Sequence, residues 1–124
     1  MIFKEMKDTD LARVLELEQA CFKQPWLEKD CLYELNENPF SHGWILEDGD
    51  TIIGYAFLWE TFEMAQLARI GVDPDLRKRG YGKELMSISI TKIRELYPGY
   101  SIKIGAQTYL KKFYESFGFV DIDM

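Results

Sequence analysis

The segment that most restricts how this chain can fold is a strand-like stretch, Met64 to Val72, broken by Asp73-Pro74 and followed by Arg77-Lys78-Arg79-Gly80-Tyr81-Gly82-Lys83. Behind it, Met86, Ile90, Ile93 and Tyr97 fall on one helical face. A strand, a basic glycine turn and an amphipathic helix must therefore follow one another. Glycine lets a backbone turn sharply and approach a ligand closely. A helix start presents unpaired N–H groups and the positive end of the helix dipole. Together these predict a cradle for phosphate or pyrophosphate, with the helix beginning near Gly82. Arg77, Lys78, Arg79 and Lys83 concentrate positive charge in a chain whose formal net charge is −6. Solubility does not explain so local a reversal of sign.

Other phosphate motifs fit this segment less well. A Walker loop needs Ser or Thr after Gly-Lys, and Glu84 follows Lys83. A dinucleotide fingerprint needs a third Gly or Ala, and Leu85 stands at that place. The bland alternative is a basic turn that binds nothing.

Several function classes are excluded by what the rest of the chain lacks. Its 124 residues suit one domain, 1–124, and 47% hydrophobic content argues against disorder. No apolar run approaches the ~20 residues of a membrane span. The charged stretch Met1 to Lys7 is unlike a signal peptide, so a cytoplasmic protein with no membrane partner is expected. An acidic chain disfavours nucleic acid; its acidity either keeps the protein soluble, the readier explanation, or suits cationic acceptors such as amines or basic proteins. Cys21 and Cys31 make no disulfide framework, and with His42 they show no ligand spacing, so no metal is expected. A single histidine without a nucleophile motif leaves no Ser-His or Cys-His site.

The remaining elements follow from pattern and punctuation. Met1 to Met6 alternates as a strand. A helix capped by Asp8 or Thr9 runs to about Cys21, with Leu11, Val14, Leu15 and Leu17 on its apolar side. Pro25 stops it, and a second helix starts near Trp26 with Leu27, Cys31, Leu32 and Leu35 inward. His42 to Leu46 and Thr51 to Trp59 read as strands joined by the hairpin signal Asp48-Gly49. Pro98-Gly99 ends the helix after the glycine turn, and Tyr100 to Ile104 is a short strand. Leu110, Phe113, Tyr114 and Phe117 space as a further helix, and Phe119 to Ile122 fits a last strand. The order β-α-α-β-β-β-α-β-α-β implies an α/β fold with a mixed sheet.

With Arg77, Gly80 and Gly82 in the pattern Arg-x-x-Gly-x-Gly, the chain resembles the GNAT superfamily of N-acetyltransferases over nearly its whole length. Residues 20–83, with Ala20-Cys21-Phe22-Lys23-Gln24-Pro25-Trp26 and Ile70 to Gly82, look closer to the RimI-type ribosomal-protein alanine N-acetyltransferases. Residues 97–119, with Gly105-Ala106-Gln107 and Phe113 to Phe119, resemble the ElaA-like branch. The chain reads as a mosaic of the two, by divergence or by construction.

The resemblance implies the GNAT fold, with helices on both faces of the sheet, and acetyl-CoA as cosubstrate. It implies that Ile70, Gly71 and Val72 pair with the pantetheine arm. Arg77, Lys78, Arg79, Gly80, Tyr81, Gly82 and Lys83 would hold the pyrophosphate, and Gln107 would stand in for the family's pantetheine-binding Asn. The two parallel central strands are expected to part after Val72, where CoA lies. The acceptor implied is a primary amine, including a protein N-terminal α-amine. Tyr114 takes the place of the family's general acid, and its phenol is protonated at neutral pH; otherwise it completes the apolar stripe of Phe113 and Phe117.

Two departures stand out. The glutamate base of the RimI type is replaced by Ile102 or Ile104. The chain also stops at Met124, short of the family's further strand, leaving an edge expected to be covered in a homodimer. Glu60 and Glu63 are surrogate bases or solvated strand-end residues. Arg69 pairs with a nearby Glu in preference to contacting an acceptor carboxylate. Trp26 borders the acceptor groove or staples the second helix, and His42 is structural or solvent-facing. A CoA-binding domain of the same shape without catalysis is the rival reading, and an interaction module is a weaker third.

Overall fold

The computed structural model describes residues 1–61 and 63–104. Five strands form one sheet in strictly sequential order: β1 (Ile2–Glu5), β2 (Ser41–Asp48), β3 (Thr51–Thr61), β4 (Met64–Val72) and β5 (Ser101–Ile104). The first three pairings are antiparallel and β4–β5 is parallel, so the sheet is mixed, as the alternation of hairpins and a β-α-β unit requires. Three helices complete the described part: α1 (Leu11–Cys21), α2 (Glu28–Leu32) and α3 (Tyr81–Leu96).

Side-chain alternation along the strands divides the core between two faces. Ile45, Tyr55 and Phe57 meet Val14 and Leu17 of α1 and Cys31 of α2. Ala56, Leu58 and Leu67 turn the other way and meet Ile93 of α3, while Leu46 and Val72 meet Leu85 of the same helix. Helices therefore cover both faces. Gly49 makes the β2–β3 hairpin with φ +63°, a conformation that favours glycine.

Local details differ from the pattern-based expectations in two places. Neither Asp8 nor Thr9 caps α1. A 3-10 turn, Asp8–Asp10, precedes it, and the Asp10 carboxylate accepts the Lys7 N–H at 2.8 Å. The second helix begins at Glu28, with Leu27 exposed at its N-cap, and continues as a π-helical turn over Tyr33–Glu37. The chain between Val72 and the third helix is a 3-10 helix, Pro74–Arg79, and α3 starts one residue ahead of Gly82.

Two bulges bend the sheet. Between β2 and β3 the register shifts around Ile53. Between β3 and β4, Phe57 faces Arg69 while Leu58 faces Leu67, so Ala68 is the extra residue. The parallel pairing of β4 with β5 runs from Met64–Ser101 to Leu67–Ile104. The expected parting of these strands involves chain beyond Ile104, outside the described residues. The expected helix around Tyr114 and the strand from Phe119 lie there too.

Candidate functional site

The glycine segment expected to cradle phosphate follows the end of β4. Asp73 fixes the exit of the strand. Its carboxylate accepts Arg13 Nη2 at 2.7 Å and the Asp75 N–H at 3.0 Å, while Arg13 Nε also donates to the Ile52 carbonyl. The start of α1 and the end of β4 are thus tied together before the 3-10 helix begins. Gly80 then takes φ +82° as the N-cap of α3, and the space above it is open, with no atom within 4 Å of a hypothetical Cβ. Glu84 is the first residue whose N–H returns to Gly80. The N–H groups of Tyr81, Gly82 and Lys83 form the opening turn of a 16-residue helix, where intrahelical partners are lacking. Tyr81 also donates its hydroxyl to Asp48 at 3.2 Å, linking the β2–β3 hairpin to the helix start.

Of the residues expected to bind cosubstrate, Ile70, Gly71 and Val72 are the last three of β4, and Arg77, Lys78 and Arg79 close the 3-10 helix. Tyr81, Gly82 and Lys83 open α3, so these nine and Gly80 form one continuous strand–turn–helix path. Gln107 and Tyr114 lie outside the described residues. Gly71 cannot carry a side chain easily: a Cβ there would lie 2.7 Å from Cε1 of Tyr55.

Tyr55 leads to a feature that the apolar patterning missed. Glu18, on α1, is fully buried. Its carboxylate accepts the Tyr55 hydroxyl, the Trp26 N–H at 3.0 Å, and Arg69 Nε at 3.1 Å to each oxygen. Arg69 projects from β4 just past the Ala68 bulge, on the α1 face beside Phe57. Its guanidinium lies 3.7 Å above the Phe22 ring and 4.9 Å from the Trp26 ring, and Nη2 donates to the Gln24 carbonyl at 3.2 Å. The pairing of Arg69 with a glutamate is as expected, and the partner is Glu18. The Trp26 ring lies tilted against Phe57 of β3, with centroids 5.2 Å apart, so it packs on the sheet. Burial, and then the neighbouring Glu18, push the Tyr55 hydroxyl well above the ordinary tyrosine range, so it stays a proton donor to the carboxylate.

Glu60 and Glu63, weighed from sequence as surrogate bases, lie at the β3–β4 end of the sheet. The Glu60 carboxylate lies 3.5 Å from the Tyr100 hydroxyl, and Glu63 sits exposed in the β3–β4 turn with φ +62°. Ile102 packs against the α3-side cluster of Leu58, Leu67 and Ile93. His42 is structural: Nε2 meets the Tyr97 hydroxyl at 3.1 Å, and the ring stacks on Trp44. Among the described residues no cluster of His, Cys, Asp or Glu is arranged to hold a metal, and no helix is long and apolar enough to cross a membrane.

A mixed sheet flanked by helices, with a glycine turn and a helix N-terminus at the end of a central strand, defines an α/β domain. The chain belongs to the acetyltransferase (GNAT) domain family, whose model matches residues 5–124. Both branches seen in the sequence are among its relatives. A Bacillus subtilis (strain 168) protein named "Putative ribosomal protein bS18-alanine N-acetyltransferase" is 28% identical over 74% of this chain. The match spans 61% of that relative, less than two thirds of its length. The Escherichia coli (strain K12) protein ElaA is 27% identical over 95% of this chain and 80% of its own. The crystal structure of the ribosomal-protein-S18-alanine N-acetyltransferase from Escherichia coli superposes with a TM-score of 0.84 at 22% identity, covering 98% of this chain and 79% of that one. That similarity is one of fold.

Proposed function

We propose that this chain transfers the acetyl group of acetyl-CoA to a primary amine, and that the amine is a protein N-terminal α-amine. One observation carries the cosubstrate: the edge of β4 at Ile70–Val72 leads into the open, left-handed Gly80 and the first turn of α3. The residues fit CoA. The amides of Tyr81, Gly82 and Lys83 suit its pyrophosphate, Arg77, Lys78, Arg79 and Lys83 supply counter-charge, and the Ile70–Val72 backbone and Gln107 suit the pantetheine. The α-amine acceptor comes from the bS18-alanine N-acetyltransferase names of the relatives.

In this reaction the neutral amine attacks the thioester carbonyl, a C–N bond forms, the C–S bond breaks, and the amine proton leaves to water. Tyr114 donates its proton to the departing thiolate. Tyr114→Phe is expected to lower turnover at least tenfold and to leave CoA affinity unchanged; equal turnover would refute the assignment. The decisive experiment is thiol release from acetyl-CoA with a peptide beginning with Ala, against the same peptide with its N-terminus blocked. Release with the free N-terminus alone supports the proposal, and release with neither refutes it.

A second reading, a CoA-binding domain without turnover, is favoured by Ile102, one of the two residues at the expected place of the RimI-type base, which packs in an apolar cluster. Thermal stabilisation by CoA combined with no thiol release from any amine would select it.

A further inference from the structure

We propose that Arg69 reads the acceptor: its Nη1 donates to a neutral carbonyl next to the acceptor amine, so the chain selects α-amines that carry an amide. The inference rests on the N-acetyltransferase reading.

The guanidinium is clamped on three sides. Nε is bound to Glu18, Nη2 to the Gln24 carbonyl, and one face is covered by Phe22 and Trp26. Its side chain retains 15% exposure. Arginine has five N–H donors in a fixed planar fork. Among the described residues, only Nε and one donor of Nη2 are engaged, and Nη1 has no partner. Nη1 is therefore left open to water or a ligand group.

Its position suits a ligand group. Arg69 stands three residues before Val72 on β4, about 10 Å back along the strand at ~3.3 Å per residue. A pantetheine arm laid along Ile70–Val72 carries its thioester toward this stretch and the Ala68 bulge. The segment carrying Phe22, Gln24 and Trp26 joins α1 to α2 and forms the wall beside it. Arg69 holds that wall to β4 and still presents Nη1.

Charge then selects the partner. Glu18 already neutralises Arg69, at 3.1 Å and fully buried. A second carboxylate brought here would be desolvated with no cation left to balance it, which is strongly unfavourable. A neutral amide carbonyl takes the same hydrogen bond without that cost. The preferred acceptor is therefore a peptide N-terminus, ahead of a free amino acid and ahead of an amine with no adjacent carbonyl.

The test uses the full chain with CoA present. Calorimetry measures affinity for a peptide beginning with Ala, for its isostere with an alkene in place of the first peptide bond, and for free alanine. The peptide is expected to bind about tenfold or more tighter than either, the scale of one hydrogen bond to a charged donor. Arg69→Lys, which keeps the charge but not the fork, should abolish the difference while CoA-induced thermal stabilisation stays the same. Equal affinities for peptide and isostere in the wild-type chain overturn the inference whether or not the variant folds. A difference that persists in a folded Arg69→Lys overturns it as well. Discrimination without any acetyl transfer would sink the transferase reading alone, and no binding of any amine would sink both.

Discussion

Replacing Gly71 by Ala isolates one contact whose geometry is fixed from both sides. The added Cβ would lie 2.7 Å from Cε1, 2.9 Å from Cζ and 2.9 Å from the hydroxyl oxygen of Tyr55. All three distances are shorter than carbon–carbon or carbon–oxygen contact permits, so something must move. The ring cannot yield cheaply: Tyr55 is fully buried and its hydroxyl is held by Glu18, which is held in turn by Arg69. The strand cannot yield alone, because Gly71 is paired with Tyr55 in the β3–β4 ladder. Overpacking of this kind costs about 1–3 kcal/mol. For a domain of this size that corresponds to a melting temperature lower by about 4–12 °C. Differential scanning calorimetry of the ligand-free chain reads it directly. The same substitution in a Tyr55→Leu background should cost less than half as much, since the obstructing ring is gone. A single variant that melts within 1 °C of the wild type would refute the reasoning, as would an equal cost in the two backgrounds.

Gly80→Ala probes the opposite situation, a free space with an unfavourable backbone. At φ +82° and with no atom within 4 Å, the cost is conformational, about 1–2 kcal/mol in urea unfolding, and a value near zero would contradict it. Glu18→Ala leaves the largely buried Arg69 without its counter-ion and should destabilise the fold by about 3–5 kcal/mol, with much of the loss recovered in the Glu18→Ala, Arg69→Met double variant; additive losses in chemical denaturation would argue against a buried ion pair. Burial, then Glu18, pushes the Cys31 thiol from 9.0 up to about 12. Ionisation therefore favours the unfolded chain above pH 9, and stability should fall between pH 9 and about 12 by more in the wild type than in Cys31→Ala. Identical pH slopes for the two would remove Cys31 as the cause.

What could be read from the sequence was whatever local chemistry dictates. Asp48-Gly49 specifies a hairpin because glycine tolerates the positive φ observed there. Met86, Ile90 and Ile93 specify the buried side of α3, and all three are buried. The strand–turn–helix path from β4 to α3 was legible because its parts are contiguous in sequence. The Glu18–Arg69–Tyr55 group was not, because its members come from three elements brought together only by packing. A signal existed: Glu18 lies four residues after Val14 and seven after Leu11, on the buried stripe of α1, where a charge demands a partner. The Ala68 bulge left no mark, as neither Gly nor Pro accompanies it. The α2 boundary was misplaced because Trp26 and Leu27 look like helix residues, whereas Trp26 is drawn onto Phe57 and Leu27 is turned to solvent.

The sequential order of the strands has a consequence for how the molecule comes into being. The β1–β2 pairing must await the return of the chain through α1 and α2, but β2, β3 and β4 form an uninterrupted antiparallel meander joined by short turns. Contacts between neighbours in sequence form early, since little loop entropy opposes them. The parallel partner β5 arrives only after all of α3 has been made and laid across the sheet. During synthesis from the N-terminus, the edge of β4 that faces β5 is thus the last strand edge to be paired among the described residues. A nascent chain would carry a nearly finished meander while β4 still lacked its parallel neighbour. Arrest of translation before Ser101 should give ribosome-bound chains with a protease-resistant meander and no retention on immobilised CoA.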